Sequence, residues 1–238
     1  MLILALDTSS PLGSLALLRD TTILSQRVSS SKELYSAAIL RDTKQLLDDA
    51  RISFEEIDLF AVDAGPGSFT GLRVGLTTVK AWAEVWRKPI AALSGLEAMA
   101  AQVLPSEAPD SFVASAMDAR RGQIFGGLFV RRRDDSGVFE RVGDEILATA
   151  DEFLQSLRSH VKDGGGLGIA CISPDVIQPA LQRHGLGYCR IEVVSSVLAP
   201  SIGQLGYAKA IRGDVVDALR LDANYIRRPD AEMKWKSG

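Results

Sequence analysis

The same succession of elements can be read twice along these 238 residues, and that repetition limits the fold more than any single motif does. Apolar runs at 2–6, 12–18 and 23–29 read as three strands. The turns between them, at Pro11-Leu12-Gly13 and Asp20-Thr21, are too short for a parallel crossover, so the three strands are antiparallel. A helix opened by the Ser30–Glu33 capping pattern runs to Ala50. A strand at 59–62, a helix ending near Trp86, a strand from Pro89 and a helix from Ser94-Gly95 follow. The second half begins with strands from Phe112 to Met117, at 123–132 and at 139–147. It continues with a helix at 151–160, a strand at 167–172, a helix near 175–184, a strand at 190–194 and a helix from Pro200 to about Ile211. Each half reads three strands, helix, strand, helix, strand, helix, and each first strand ends in an aspartate, Asp7 or Asp118. Internal duplication is the simplest account. The competing account is an ordinary α/β domain in which two acidic turns coincide, since Asp is common at turns.

Two such halves resemble the actin/Hsp70/sugar-kinase fold: α/β, duplicated and two-lobed, with mixed sheets flanked by helices. The expected lobes are 1–103 and 104–238, the last helix and tail having the option of packing back on the first. In that fold the strand–Asp–turn hairpins face a nucleotide cleft, which makes Asp7, Thr8 and Asp118 the candidate cofactor-binding residues.

Residues 65–75 read Gly-Pro-Gly-Ser-Phe-Thr-Gly-Leu-Arg-Val-Gly, a tight turn entering a helix with Ser68 as its natural N-cap. No Lys-Ser/Thr follows the last glycine, so this is not a Walker loop. Gly71 and Gly75 leave a bare stripe along the helix, which costs roughly 1 kcal/mol per glycine relative to alanine. Close approach of another backbone offsets that cost, and the helix's own sheet and a partner protein are both candidates. Leu72, Leu76, Val79, Trp82 and Trp86 add a broad apolar surface, as Leu34, Tyr35, Ala38 and Ile39 do on the helix before it.

Other chemistries find little support. A net charge of −3 argues against a chain that grips RNA unaided, and the basic run Arg131–Arg133 is followed at once by Asp134 and Asp135. Cys171, Cys189, His160 and His184 are too scattered for a disulfide framework or a metal site. Ser9, Ser10, Asp7 and His160 lack the G-x-S-x-G elbow of a hydrolase. The glycine run 164–166 precedes a strand and reads as a flexible loop. Arg120-Arg121 and Arg227-Arg228 suit phosphate, although scattered surface arginines are the commoner explanation. The N-terminus carries neither a signal peptide nor a membrane span, so the expected location is cytoplasmic.

The long segment GPGSFTGLRVG closely resembles the signature of the TsaB/YeaZ family. LALDTSS, LSGLEAMA, MDARRGQIF and YIRRPDAE fall in that family's order across nearly the whole chain. The resemblance implies a non-catalytic partner of TsaD, a metal-holding paralogue of similar fold that transfers a threonylcarbamoyl group to the adenosine beside the tRNA anticodon. TsaE, an ATPase, joins the pair, and tRNA is met indirectly through the complex. TsaD-like chains carry His-x-x-x-His on the first helix, whereas SKELYSAAIL here has no histidine, so no catalytic or metal residue carries over. By position, the docking surface falls on helices 32–50 and 69–86, with Leu34, Tyr35, Ala38, Ile39, Gly71, Leu72, Gly75, Leu76 and Val79 as the expected interface. Alone, such a chain is expected to form a homodimer through the same helices. It needs no cofactor of its own, and ATP or ADP has a place only at the interface of the complex. The alternatives are a stand-alone ATP-binding phosphotransferase of the same fold and, far behind it, a peptidase.

Overall fold

The computed structural model describes residues 1–10, 12–29, 35–103, 111–131, 139–158 and 167–226. The capping pattern at Ser30–Glu33, Leu34, His160, the glycine run 164–166, Arg227-Arg228 and the tail lie outside them. The chain divides into two compact units, Met1–Gly95 with Ser196–Gly238, and Leu96–Ser195.

In the first unit, β1 (Leu2–Asp7), β2 (Ser14–Arg19) and β3 (Thr22–Val28) form an antiparallel meander. Then come α1 (Tyr35–Ala50), β4 (Leu59–Asp63), α2 (Phe69–Trp86) and β5 (Ile90–Leu93). The sheet order is β3-β2-β1-β4-β5, with β1, β4 and β5 mutually parallel as neighbours. A helix must lie between parallel neighbours, and α1 and α2 supply those crossovers. One sheet face carries Leu4, Leu6, Leu15, Leu17, Phe60 and Val62 into a core closed by Ile39 and Leu46 of α1 and Leu76 and Val79 of α2. On the other face Ala16, Ala5, Ala61 and Ala91 stand opposite one another on four adjacent strands. That row leaves room for a helix at short range, and α6 (Ala199–Ile211) packs there against β1, β2, β4 and β5. A Cβ added to Gly206 of α6 would sit 2.8 Å from the Ala61 Cβ, and one on Gly203 would sit 2.3 Å from Leu18 Cδ1.

The second unit repeats the plan. From α3 (Gly95–Ala100) the chain enters β6 (Ser111–Arg120), β7 (Gln123–Arg131), β8 (Phe139–Arg141) and β9 (Ile146–Ala148). After these come α4 (Ala150–Leu157), β10 (Leu167–Cys171), α5 (Gln178–Arg183) and β11 (Arg190–Val193). Read from the other edge, the order β8-β7-β6-β10-β11 matches the five strands of the first sheet, and a sixth strand, β9, pairs antiparallel with β7 beside β8. Its core gathers Ile124, Leu128, Phe153, Leu154, Ile169 and Leu181.

The structure differs from the sequence reading in three places. The strand expected at 139–147 is two short strands, because Gly143 turns the chain at φ +72°. The helix expected from 175 is a 3-10 turn (Pro174–Val176) before α5, since Pro179 lacks the N–H that an earlier start would need. The units part at Gly95 and again at Ser195, where the repeat suggested one boundary near 103. The third helix of each half has changed sides: α3 beyond Gly95 goes with the second unit and α6 with the first. Among the described residues no helix is long and apolar enough to cross a membrane.

Candidate functional site

β1 and β4 are parallel neighbours with Leu6 opposite Val62, so the residues that end them, Asp7 and Asp63, emerge side by side. Both carboxylates are buried. A buried charge persists only where hydrogen bonds replace its lost hydration. Asp7 Oδ1 accepts from the backbone N–H of Ser9 at 2.8 Å and of Ser10 at 3.2 Å, and Oδ2 accepts from the Ser10 hydroxyl. Asp63 Oδ1 accepts from Gly65 N at 2.7 Å, and Oδ2 accepts from the Ser9 hydroxyl. Ser9 therefore joins the two carboxylates, its N–H to one and its O–H to the other. Burial pushes the Asp7 carboxyl above the usual carboxylate range, against the Ser10 and Ser9 hydrogen bonds that pull it down.

Helix α2 closes over this turn. Ser68 caps it, its Oγ accepting from Gly71 N at 3.3 Å, and Ser68 N donates to Ser9 O at 3.0 Å. The Thr8 hydroxyl donates to Gly71 O at 2.7 Å. A Cβ on Gly71 would fall 1.9 Å from Thr8 O, and one on Gly75 would fall 2.3 Å from Thr8 Oγ1. The bare stripe thus receives the unit's own β1–β2 turn, which settles the choice between sheet and partner for those glycines. From the far end of the chain, Asn224 N donates to Ala64 O at 2.7 Å. The Tyr225 ring packs on Phe69, whose other neighbour is the Arg73 guanidinium 3.9 Å from its centroid.

Those contacts cover most of the residues expected at the interface. Gly71, Leu72, Gly75, Leu76 and Val79 are buried, as are Ala38 and Ile39 of α1, and Leu76, Val79 and Ile39 join the core on the unit's own sheet. Tyr35 opens α1, and Leu34 lies outside the described residues. Trp82 packs against Phe60 and Phe54 in the core, and the half-buried Trp86 stacks on Phe54 at 6.0 Å at its edge. The outward residues of the two helices are others: Leu40 and Lys44 on α1, and Arg73, Thr77, Ala81 and Val85 on α2.

The cofactor candidates part company. Asp7 and Thr8 are buried and committed to their own chain. Asp118, in the second unit, is exposed, accepts from Arg120 N at 2.7 Å and faces the Arg120 guanidinium at 3.3 Å. Among the described residues no group of three or more His, Cys, Asp and Glu gathers as a metal site would. Cys171 and Cys189 are buried, and burial pushes both thiols up, away from the reactive thiolate. The sequence reading passed over Asp63, although it too ends an apolar strand just before a glycine turn, the signal that had singled out Asp7.

A family model described as TsaD: tRNA N6-adenosine threonylcarbamoyltransferase matches residues 22–168. The tRNA threonylcarbamoyladenosine biosynthesis protein TsaB of Bacillus subtilis (strain 168) is 28% identical over 236 residues, covering 99% of this chain and 98% of that one. Among solved structures, YeaZ from Pseudomonas aeruginosa superposes with a TM-score of 0.73 at 23% identity, over 94% of this chain and 100% of that one. A ROK hexokinase from Thermus thermophilus reaches 0.55 at 11% identity, over 90% of this chain and 100% of that one. At these identities the solved structures show the fold alone, and that fold is the one shared by sugar kinases.

Proposed function

We infer a function from one premise: the chain belongs to the TsaB/YeaZ family, within the wider family of TsaD. It acts in the biosynthesis of threonylcarbamoyladenosine in tRNA. Its part there is that of a non-catalytic subunit, pairing with a TsaD-like catalytic paralogue that a TsaE-like ATPase joins.

The observation that carries this reading is the closure of the Asp7–Ser10 turn by its own chain. In the kinase-like fold that turn faces a nucleotide. Here all four residues are buried: Thr8 bonds to Gly71, Ser9 bonds to Asp63 and Ser68, and Asp7 and Ser10 bond to each other. A phosphotransferase would keep such a turn open for phosphate and its metal, so the same observation weighs against the stand-alone enzyme. Pairing falls to the outward faces of α1 and α2, where Leu40 and Val85 are 60% and 69% exposed. The same faces would join two copies in the partner's absence. Nucleotide, if the complex holds it, meets this chain only where the two proteins join.

The test is reconstitution of tRNA modification from a TsaD-like protein, a TsaE-like protein and the enzyme that makes the threonylcarbamoyl adenylate, with and without this chain. Modification should require the chain, and the chain alone should modify nothing. Modification by the chain alone, or at full rate without it, sinks the reading.

A further inference from the structure

We propose that the tip of the β6–β7 hairpin is a phosphate-binding finger, and that the phosphates it takes are those of the tRNA backbone. The second clause rests on the function proposed above. The hairpin pairs Asp118 with Ile124 and Arg120 with Gln123, with an irregularity between Asp118 and Arg120. Its end, Arg120-Arg121-Gly122, has φ of +66°, +58° and +72°. A two-residue hairpin loop with positive φ favours Asn-Gly, and a bulge at its shoulder favours Gly, because a Cβ in the left-handed region crowds the carbonyl. Arginine satisfies neither preference.

Among the described residues two other arginines adopt positive φ, Arg51 and Arg87, and each has a local reason. They follow α1 and α2, where a cation meets the negative end of a helix. The hairpin tip has no helix end beside it on either strand. Strain of this kind at two successive arginines points to a use for the side chains themselves.

The geometry also states the use. Asp118 accepts from Arg120 N at 2.7 Å and sits 3.3 Å from one guanidinium nitrogen, so it braces the turn and one edge of the fork. The Arg120 side chain stays 80% exposed, and Arg121 and Gly122 are exposed beside it. A Cβ at Gly122 would meet nothing within 4 Å. Planar guanidinium forks match phosphate oxygens. A free nucleotide needs a concave seat, whereas an open, projecting tip fits a phosphate chain that passes over it. With a net charge of −3 the whole chain does not hold RNA by bulk attraction, so the finger sets register within a complex and does not supply the main affinity.

The test gives the turn the residues its backbone prefers. In the double variant Arg120→Gly, Arg121→Asn, the melting temperature should hold or rise. Binding of labelled unmodified tRNA is then followed over a salt series, for the chain alone and for the chain mixed with TsaD-like and TsaE-like proteins. In at least one sample the variant should bind about tenfold more weakly, with a log K against log salt slope shallower by about 1 to 2. The variant Arg120→Lys, Arg121→Lys should keep the slope and lose part of the affinity. Coincident curves for parent and variant in both samples, or no salt-dependent binding in either, overturn the proposal. It is also overturned if the variant loses only partner assembly, which assigns the tip to a carboxylate surface, or only ATP binding, which assigns it to a nucleotide. Modification that proceeds without this chain would remove the functional premise and leave the tRNA-binding result to be read by itself.

Discussion

A carboxylate with no exposed surface, such as Asp7, keeps its charge only through the donors from Ser9 and Ser10 that surround it. Asp7→Asn preserves the acceptor oxygen for both backbone donors, so its stability at neutral pH should stay within about 1 kcal/mol of the parent, measured by urea unfolding. Asp7→Ala strands those donors and should cost about 1–3 kcal/mol. The pH dependence follows from the raised folded pKa. Between the ordinary value of 3.8 and the higher folded one, the native state binds the proton that the unfolded chain has released. Acidifying through that window therefore stabilises the parent relative to Asp7→Asn, and below 3.8 the difference levels off. A difference that shrinks on acidification would contradict the burial argument. Asp7 was legible because an apolar strand ended on it. The bridge through Ser9 was not, since its second carboxylate lies 54 residues away.

At the scale of an element, α2 shows how a periodic pattern can be legible without saying what it faces. Its span, its Ser68 cap and its glycine stripe are plain in the sequence. An apolar stripe at helical spacing, however, says only that a face is covered and not by what. Leu72 and Leu76 belong to the core, so Leu72→Glu should unfold the first unit and say nothing about pairing. Val85→Glu lies on the outward face and should leave the melting curve within about 0.5 kcal/mol of the parent while abolishing co-elution with a TsaD-like protein. Co-elution that survives Val85→Glu and Leu40→Glu together would move the interface off these helices. Gly71→Ala returns about 1 kcal/mol of helix propensity, yet its methyl would sit 1.9 Å from Thr8 O. Overpacking of that severity lies at the top of the roughly 1–3 kcal/mol range, so a net loss of about 2 kcal/mol is expected by urea unfolding. Gly168→Ala, whose nearest neighbour is 3.6 Å away, is the tolerated control.

For the molecule as a whole, the repeat predicted matching halves, and the two sheets have the same strand order. The repeat left open which lobe the last helix serves, and α6 completes the first unit from the far end of the sequence. A chain cut after residue 195 would bare the alanine row of β1, β2, β4 and β5 and lose Leu221 from the opposite core. It should lose the cooperative melting transition and enter the void volume on gel filtration, and a soluble monomer with native near-UV circular dichroism would contradict that. By itself the sequence determined most of the elements, their duplicated order, the acidic end of β1 and the cap of α2, all of which depend on periodicity and on neighbours a few residues apart; Asp118, expected at a strand end, lies inside β6 because the hairpin continues to Arg120. Tertiary structure alone decided which face each helix covers, which carboxylate Ser9 reaches and which lobe α6 serves. Those outcomes depend on contacts between residues far apart in the chain, and local pattern carries no record of them.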